Sequence, residues 1–289
     1  MGRVAEAPDT ESLIARVAAG ERVALAALVA RDGARINGLC RRHGGKGADA
    51  LFGRIWVAVW QAAPGFAASG LTGDDWLTLL AREVIVAELR AARAAQAQDD
   101  VARLADLPPL LPRAGVLAPC LAALPDDAAE AVTRAIETGE TEAGLALRFG
   151  MPPEAMAHML DGALSALDRC LGGEGGSAAA RLVLGLATDQ AARAFTEAAS
   201  DDPLLRAGRA RWAHAVAGAF TAPPAAPAPG AVARINRRLF DEEGGGILRR
   251  VGLIPSLVAA LIGALILVWL GGGTDPLGEP LAPSEAPAD

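Results

Sequence analysis

The sequence predicts an all-α fold, on three observations. The chain is rich in Ala, Leu and Arg, holds no Tyr and has Lys46 as its single lysine, a mixture that favours helix over strand. Its apolar residues recur at helical spacing, as in the row Leu51, Ile55 and Val59 beside the row Phe52, Trp56 and Trp60. No stretch alternates apolar with polar residues as a half-buried strand does, and no internal repeat is visible.

Taken in order, residues 1–97 hold four expected amphipathic helices. The first covers 11–19 and stops at Gly20; the second covers 21–42 and ends in the His43-Gly44-Gly45 break. The third covers 48–61, where the two apolar rows make a broad face that must be buried. The fourth starts near Asp74, whose carboxylate is expected to cap it, and runs through Trp76, Leu80, Val84 and Leu89. Residues 98–114 contain Pro108, Pro109 and Pro112 and read as a linker. In 115–171, Gly139 and the Gly150-Met151-Pro152-Pro153 break divide short helices in the pattern of a helix-turn-helix. The Gly-rich segment 172–177 is an expected hinge. A third helical unit, 178–240, carries a Pro/Ala stretch at 223–229 and a final amphipathic helix at 231–240, and 241–250 is a juxtamembrane linker.

Residues 251–270 are uncharged and apolar for 20 residues, and such a run crosses about 30 Å of hydrocarbon as a helix. Arg234, Arg237, Arg238, Arg249 and Arg250 precede it, while the tail 271–289 has neither Lys nor Arg. The positive-inside bias then predicts a single-pass protein of the inner (cytoplasmic) membrane, with its N-terminus in the cytoplasm and a short tail outside. Pro255 falls in the first turn of the span, where a missing N–H costs little, and Trp269 at the outer interface. Residues 1–10 have no apolar core and do not read as a signal peptide.

A net charge of −7 argues against a general nucleic-acid binder. Residues 101–171 are the most lopsided part, with 5 basic and 10 acidic side chains. Cys40, Cys120 and Cys170 are odd in number and far apart, so they are expected as thiols rather than a disulfide framework. His43, His158 and His214 are equally scattered, and no metal-ligand spacing occurs. The segment GGEGGS lacks the ending of a phosphate loop, and no nucleophile elbow or motif of paired carboxylates is present. No catalytic, cofactor-binding or metal-binding residue is therefore expected, and the chain does not read as an enzyme.

Four segments, ESLIARVAAGERVALAALVARDGARI, ADALFGRIWVAVW, WLTLLAREVIVAELRAARA and CLAALPDDAAEAVTRAIETGETEAGLALRFGMPPEAMAHMLDGALSALDRCL, resemble in order and spacing the extracytoplasmic-function sigma factors of RNA polymerase. The resemblance covers about residues 10–171 and implies two helical domains, 1–97 and 115–171, the second with a helix-turn-helix. Its departures fall on the working surfaces. The polymerase-facing third helix has Ala50, Gly53 and Arg54 at its polar positions and keeps only Asp49. In the promoter-reading fourth helix, Glu83 and Ala87 replace the usual Asn and Asp, and the basic run is thinned to Arg90 and Arg93. In the recognition helix the contacts are replaced by Ala157, His158, Met159 and Gly162; Glu154, Asp161 and Asp168 are present, and no Arg or Lys lies between Arg148 and Arg169. DNA affinity comes largely from neutralised phosphates, so these changes argue against DNA binding.

The segments AAARLVLGLATDQAARAFTEAASDDPLL, RARWAHAVAGAF and APGAVARINRRLF resemble the zinc-less anti-sigma domain of membrane-bound anti-sigma factors. That family places three helices in a bundle and a fourth after the Pro-rich spacer. Its aromatic residue in the fourth helix is missing, Val232 being the nearest equivalent. The resemblance implies a sigma/anti-sigma contact at Val232, Ile235, Leu239 and Trp212, with a sigma factor as partner, either the chain's own module or a separate protein. The expected function is regulation of transcription initiation by protein–protein contact. One alternative is an active membrane-tethered sigma factor freed by proteolysis, for which core RNA polymerase would be a partner. Another is a helical membrane scaffold with no role in transcription.

Overall fold

A computed structural model of the chain describes residues 8–96 and 115–240, which form thirteen α-helices and two short 3-10 turns with no strand among the described residues. The fold is all-α, as the composition and periodicity predict. The helices are α1 (Thr10–Ala18), α2 (Arg22–Gly44), α3 (Ala48–Ala62), α4 (Phe66–Ser69), α5 (Gly73–Gln96), α6 (Leu117–Leu121), α7 (Asp126–Thr138), α8 (Glu142–Phe149), α9 (Pro153–Cys170), α10 (Ala178–Leu184), α11 (Asp189–Asp201), α12 (Pro203–Ala219) and α13 (Ala231–Phe240).

Local chemistry sets most of their ends. Asp9, Thr141, Thr188 and Asp202 cap α1, α8, α11 and α12 by accepting backbone N–H bonds. At α5 the expected Asp74 cap is corrected: Thr72 Oγ1 accepts from the Asp75 N–H at 3.2 Å, because the helix already begins at Gly73 and Asp74 lies within its first turn. Gly139 ends α7 at φ +61°, and a Cβ there would lie 2.0 Å from Val86 of α5. Both the turn and the close helix approach therefore require glycine at that position.

Two cores organise the described residues. The first is built from α1, α2, α3 and α5 around Ile14, Leu28, Ile36, Ile55, Trp56, Leu77 and Ile85. The second is built from α6 to α9 around Leu121, Val132, Ile136, Leu145, Leu160, Leu164 and Leu167. The C-terminal helices contribute to both: Phe220, Ala231 and Ile235 are buried in the first, and Ala180, Leu184, Trp212 and Val216 in the second. Helix α5 is the shared wall, since Leu79 packs on the second core while Leu77, Leu80 and Ile85 belong to the first.

The expectation of three thiols is corrected. Cys120 and Cys170 form a disulfide across a sequence separation of 50, and Cys40 is a free, buried cysteine. Distance along the chain was the misleading guide, because folding brings α6 against the C-terminal end of α9. Among the described residues no helix is long and apolar enough to cross a membrane. The expected linkers 98–114 and 241–250, the span 251–270 and the tail 271–289 lie outside the described residues.

Candidate regulatory interface

The segment 220–240 lies along α2 and α3. At its start the Phe220 ring stacks on His43, with centroids 4.8 Å apart and planes 10° from parallel. Burial pushes the half-buried His43 imidazole down to about 4, with the neighbouring Arg42 acting in the same direction. The Arg42 guanidinium donates to the Thr221 carbonyl and to Glu137 of α7, joining α2, α7 and the strap. Proline-rich chain has few N–H groups to satisfy, and residues 220–229 form a strap that is tied to α2 by one of them and by two carbonyls. The Ala225 N–H donates to the Ala34 carbonyl at 2.9 Å, and the Asn37 side-chain amide donates to the carbonyls of Ala225 and Ala226 at 3.1 and 2.9 Å. The backbone approach is close: a Cβ on Gly38 would lie 2.2 Å from the Pro223 carbonyl oxygen.

Helix α13 then packs on α3. Val232, Ile235 and Leu239 share one helical face; Ile235 is buried, and the other two are half-buried against the first core. Phe240 meets Trp60 edge-on at 4.8 Å, and the Arg22 guanidinium lies 4.4 Å above the Phe240 ring.

The second core is held through Asp168. This buried carboxylate accepts from the N–H groups of Gly175 and Gly176 at 2.9 and 3.2 Å, from Arg211 at 3.1 Å and from the Trp212 indole N–H at 2.9 Å. Burial alone would raise its carboxyl, but the donors from Gly175, Arg211 and Trp212 together hold it below the usual value. The glycine hinge is thus an ordered turn on α9, because glycines let successive N–H groups converge on one anion. Arg181 of α10 donates to Glu142 of α8, to Asp161 of α9 and to the Ala157 carbonyl, which places α10 against α8 and α9.

Arginines of α5 complete the assembly. Arg82, which is 3% exposed, donates to the carbonyls of Ala135 and Ile136 at 2.8 Å and of Val183 and Leu184 at 3.3 and 3.4 Å. Arg90 donates to the Gly139 carbonyl and Arg93 to that of Thr138. These carbonyls lie at the C-terminal ends of α7 and α10, where backbone acceptors lack helical partners and carry partial negative charge. Burial lowers Arg82 to about 10, so it stays charged at neutral pH.

Val232, Ile235 and Leu239 therefore meet at one surface, whereas Trp212 is fully buried in the second core. Of the expected DNA-contact positions, Glu83, His158 and Gly162 are exposed, and Ala87, Ala157 and Met159 are half-buried. Asp168, read from the sequence as one of three acids of the recognition helix, is buried and paired. Sequence reasoning missed the strap on Asn37, the Asp168 grip and the role of Arg82. Comparisons with known families, curated proteins and solved structures found no match for the chain.

Proposed function

We propose that this chain is a membrane-anchored, non-enzymatic regulator of transcription initiation. In this reading residues 10–171 are a sigma-like module that does not bind DNA, and 178–240 are an anti-sigma-like segment folded onto it. The span 251–270 anchors the assembly at the cytoplasmic face of the inner membrane. The observation that carries the reading is the burial of Phe220, Ala231 and Ile235 in the core of α1–α5. It is an intramolecular contact in which α13 packs on α3, the helix to which the resemblance assigns polymerase binding. The α5 arginines support it, since Arg82, Arg90 and Arg93 donate to helix carbonyls of the same chain.

Calorimetry on residues 1–171 mixed with residues 178–240 tests the contact. Association is expected, coupled to folding of the shorter fragment. Ile235→Asp with Leu239→Asp, which buries unpaired charge, is expected to weaken it by at least about 3 kcal/mol. No association at high micromolar concentration would overturn the intramolecular contact. Sequence-specific DNA binding by 1–171 with a steep salt dependence would instead restore an active sigma factor.

A further inference from the structure

We propose that Cys120–Cys170 is a thiol–disulfide exchange site, opened at Cys170 by a low-molecular-weight or protein-borne thiol, whose state sets how firmly α6 and the turn 172–177 hold to α9. The two residues differ in exposure: Cys120 is 5% exposed, whereas Cys170 is an exposed residue at the last position of α9. Exchange proceeds at the accessible sulfur. A thiolate attacks Sγ of Cys170, the S–S bond breaks, a mixed disulfide forms on Cys170, and Cys120 leaves with the electron pair and takes up a proton. A second thiolate then attacks the reductant's own sulfur in that mixed disulfide. This step frees Cys170, which is protonated, and the reductant departs as a disulfide that has given up two electrons. A disulfide of the same class reverses the sequence.

The bond stands where its loss has a consequence. Helix α6 has only 5 residues, too few to persist without tertiary support. Leu117 and Leu121 hold it to the second core, and the bond ties it to α9. On the other side, Asp168 lies two positions before Cys170 and gathers Gly175, Gly176, Arg211 and Trp212. The disulfide thus closes the helix-turn-helix unit next to the grip that attaches α12. In a thiol-rich compartment a bond of this kind is an exchanging one rather than a permanent brace. The inference rests on the cytoplasmic placement proposed above and not on the sigma-like reading.

The experiment uses the full chain in lipid nanodiscs, equilibrated with glutathione at graded thiol:disulfide ratios without denaturant. Alkylation followed by mass measurement after unfolding counts free thiols, and hydrogen exchange is read on each state. The count is expected to pass from one free thiol, Cys40, to three as the ratio becomes reducing. Exchange in α6 and 172–177 is expected to quicken by about ten-fold or more while α1 to α3 stay unchanged. Cys120→Ser with Cys170→Ser should reproduce the reduced pattern under every ratio. A bond that resists glutathione until the chain unfolds, three free thiols under all ratios, or unaltered exchange on reduction would each overturn the proposal.

Discussion

Against α2 and α3 the C-terminal segment spreads its contacts over the Phe220 stack, the strap on Asn37 and the apolar face of α13. Against α9, helix α12 concentrates them on one carboxylate, Asp168, and one fully buried indole, Trp212. The first grip is divided among many contacts, and α1–α5 also bury Ile14, Ile36, Ile55 and Trp56 among themselves. The second rests on one carboxylate and one indole, so a single substitution there removes more of it. The spread grip is therefore expected to weaken by increments and the concentrated one at a single position.

The largest expected effect breaks the concentrated grip. Trp212→Ala removes a fully buried side chain and strips Asp168 of one donor. It is expected to cost about 3–5 kcal/mol in denaturant unfolding. A loss below about 1 kcal/mol would mean that the second core does not depend on α12 and that the two grips are alike.

Asp168→Ala comes next, because it leaves the Arg211 and Trp212 donors and two glycine N–H groups without their acceptor. The expected cost is about 2–3 kcal/mol. The pH dependence carries a sign. Because the folded carboxyl lies below its ordinary value, the wild-type advantage is present above the unfolded value of about 4 and is lost as pH falls through the folded one. An unfolding difference between wild type and variant that stays constant down to strongly acid pH would contradict this assignment.

Much of the helical plan was legible, and the reason is local. Gly139 and Gly150 announced the ends of α7 and α8, and the spacing of Val232, Ile235 and Leu239 announced the docking face of α13. The polar grips were harder to read because each needs a partner distant in sequence. Yet their register held a clue. Asp168 continues the buried i,i+4 row of Leu160 and Leu164, Arg82 lies between buried Thr78 and Val86, and Asn37 follows buried Gly33. A polar residue in a buried row must find a partner, and each of these three did so, Asn37 through its side-chain N–H groups alone. The Cys120–Cys170 pair offered no such clue, since neither the odd count nor the spacing predicts which helices meet.

The smallest effect sharpens the description of the spread grip, and it arises from two opposing titrations beside Arg42. Burial lowers His43 to about 4. Between the ordinary histidine value of about 6.5 and that folded value, the unfolded chain takes up a proton that the folded chain refuses, so stability falls as pH falls. Glu137 moves the other way: burial raises its carboxyl to about 7 despite the attraction of Arg42. A raised folded value means stability that is present at low pH and lost as pH rises from about 4.5 through about 7. The two slopes overlap in range and oppose each other, so the net change in wild type across this window is expected to be slight. Each half should emerge when the other is removed. Relative to wild type, His43→Phe keeps a ring to stack on Phe220 and should gain stability as pH is lowered from about 7 to 4.5. Glu137→Gln should lose stability over the same descent, because only the histidine cost remains. Thermal midpoints of the two variants and wild type across this range decide the matter. Parallel curves for all three proteins would show that neither group is held in the folded chain as its burial implies, and would leave Arg42 as a purely geometric link between α2, α7 and the strap.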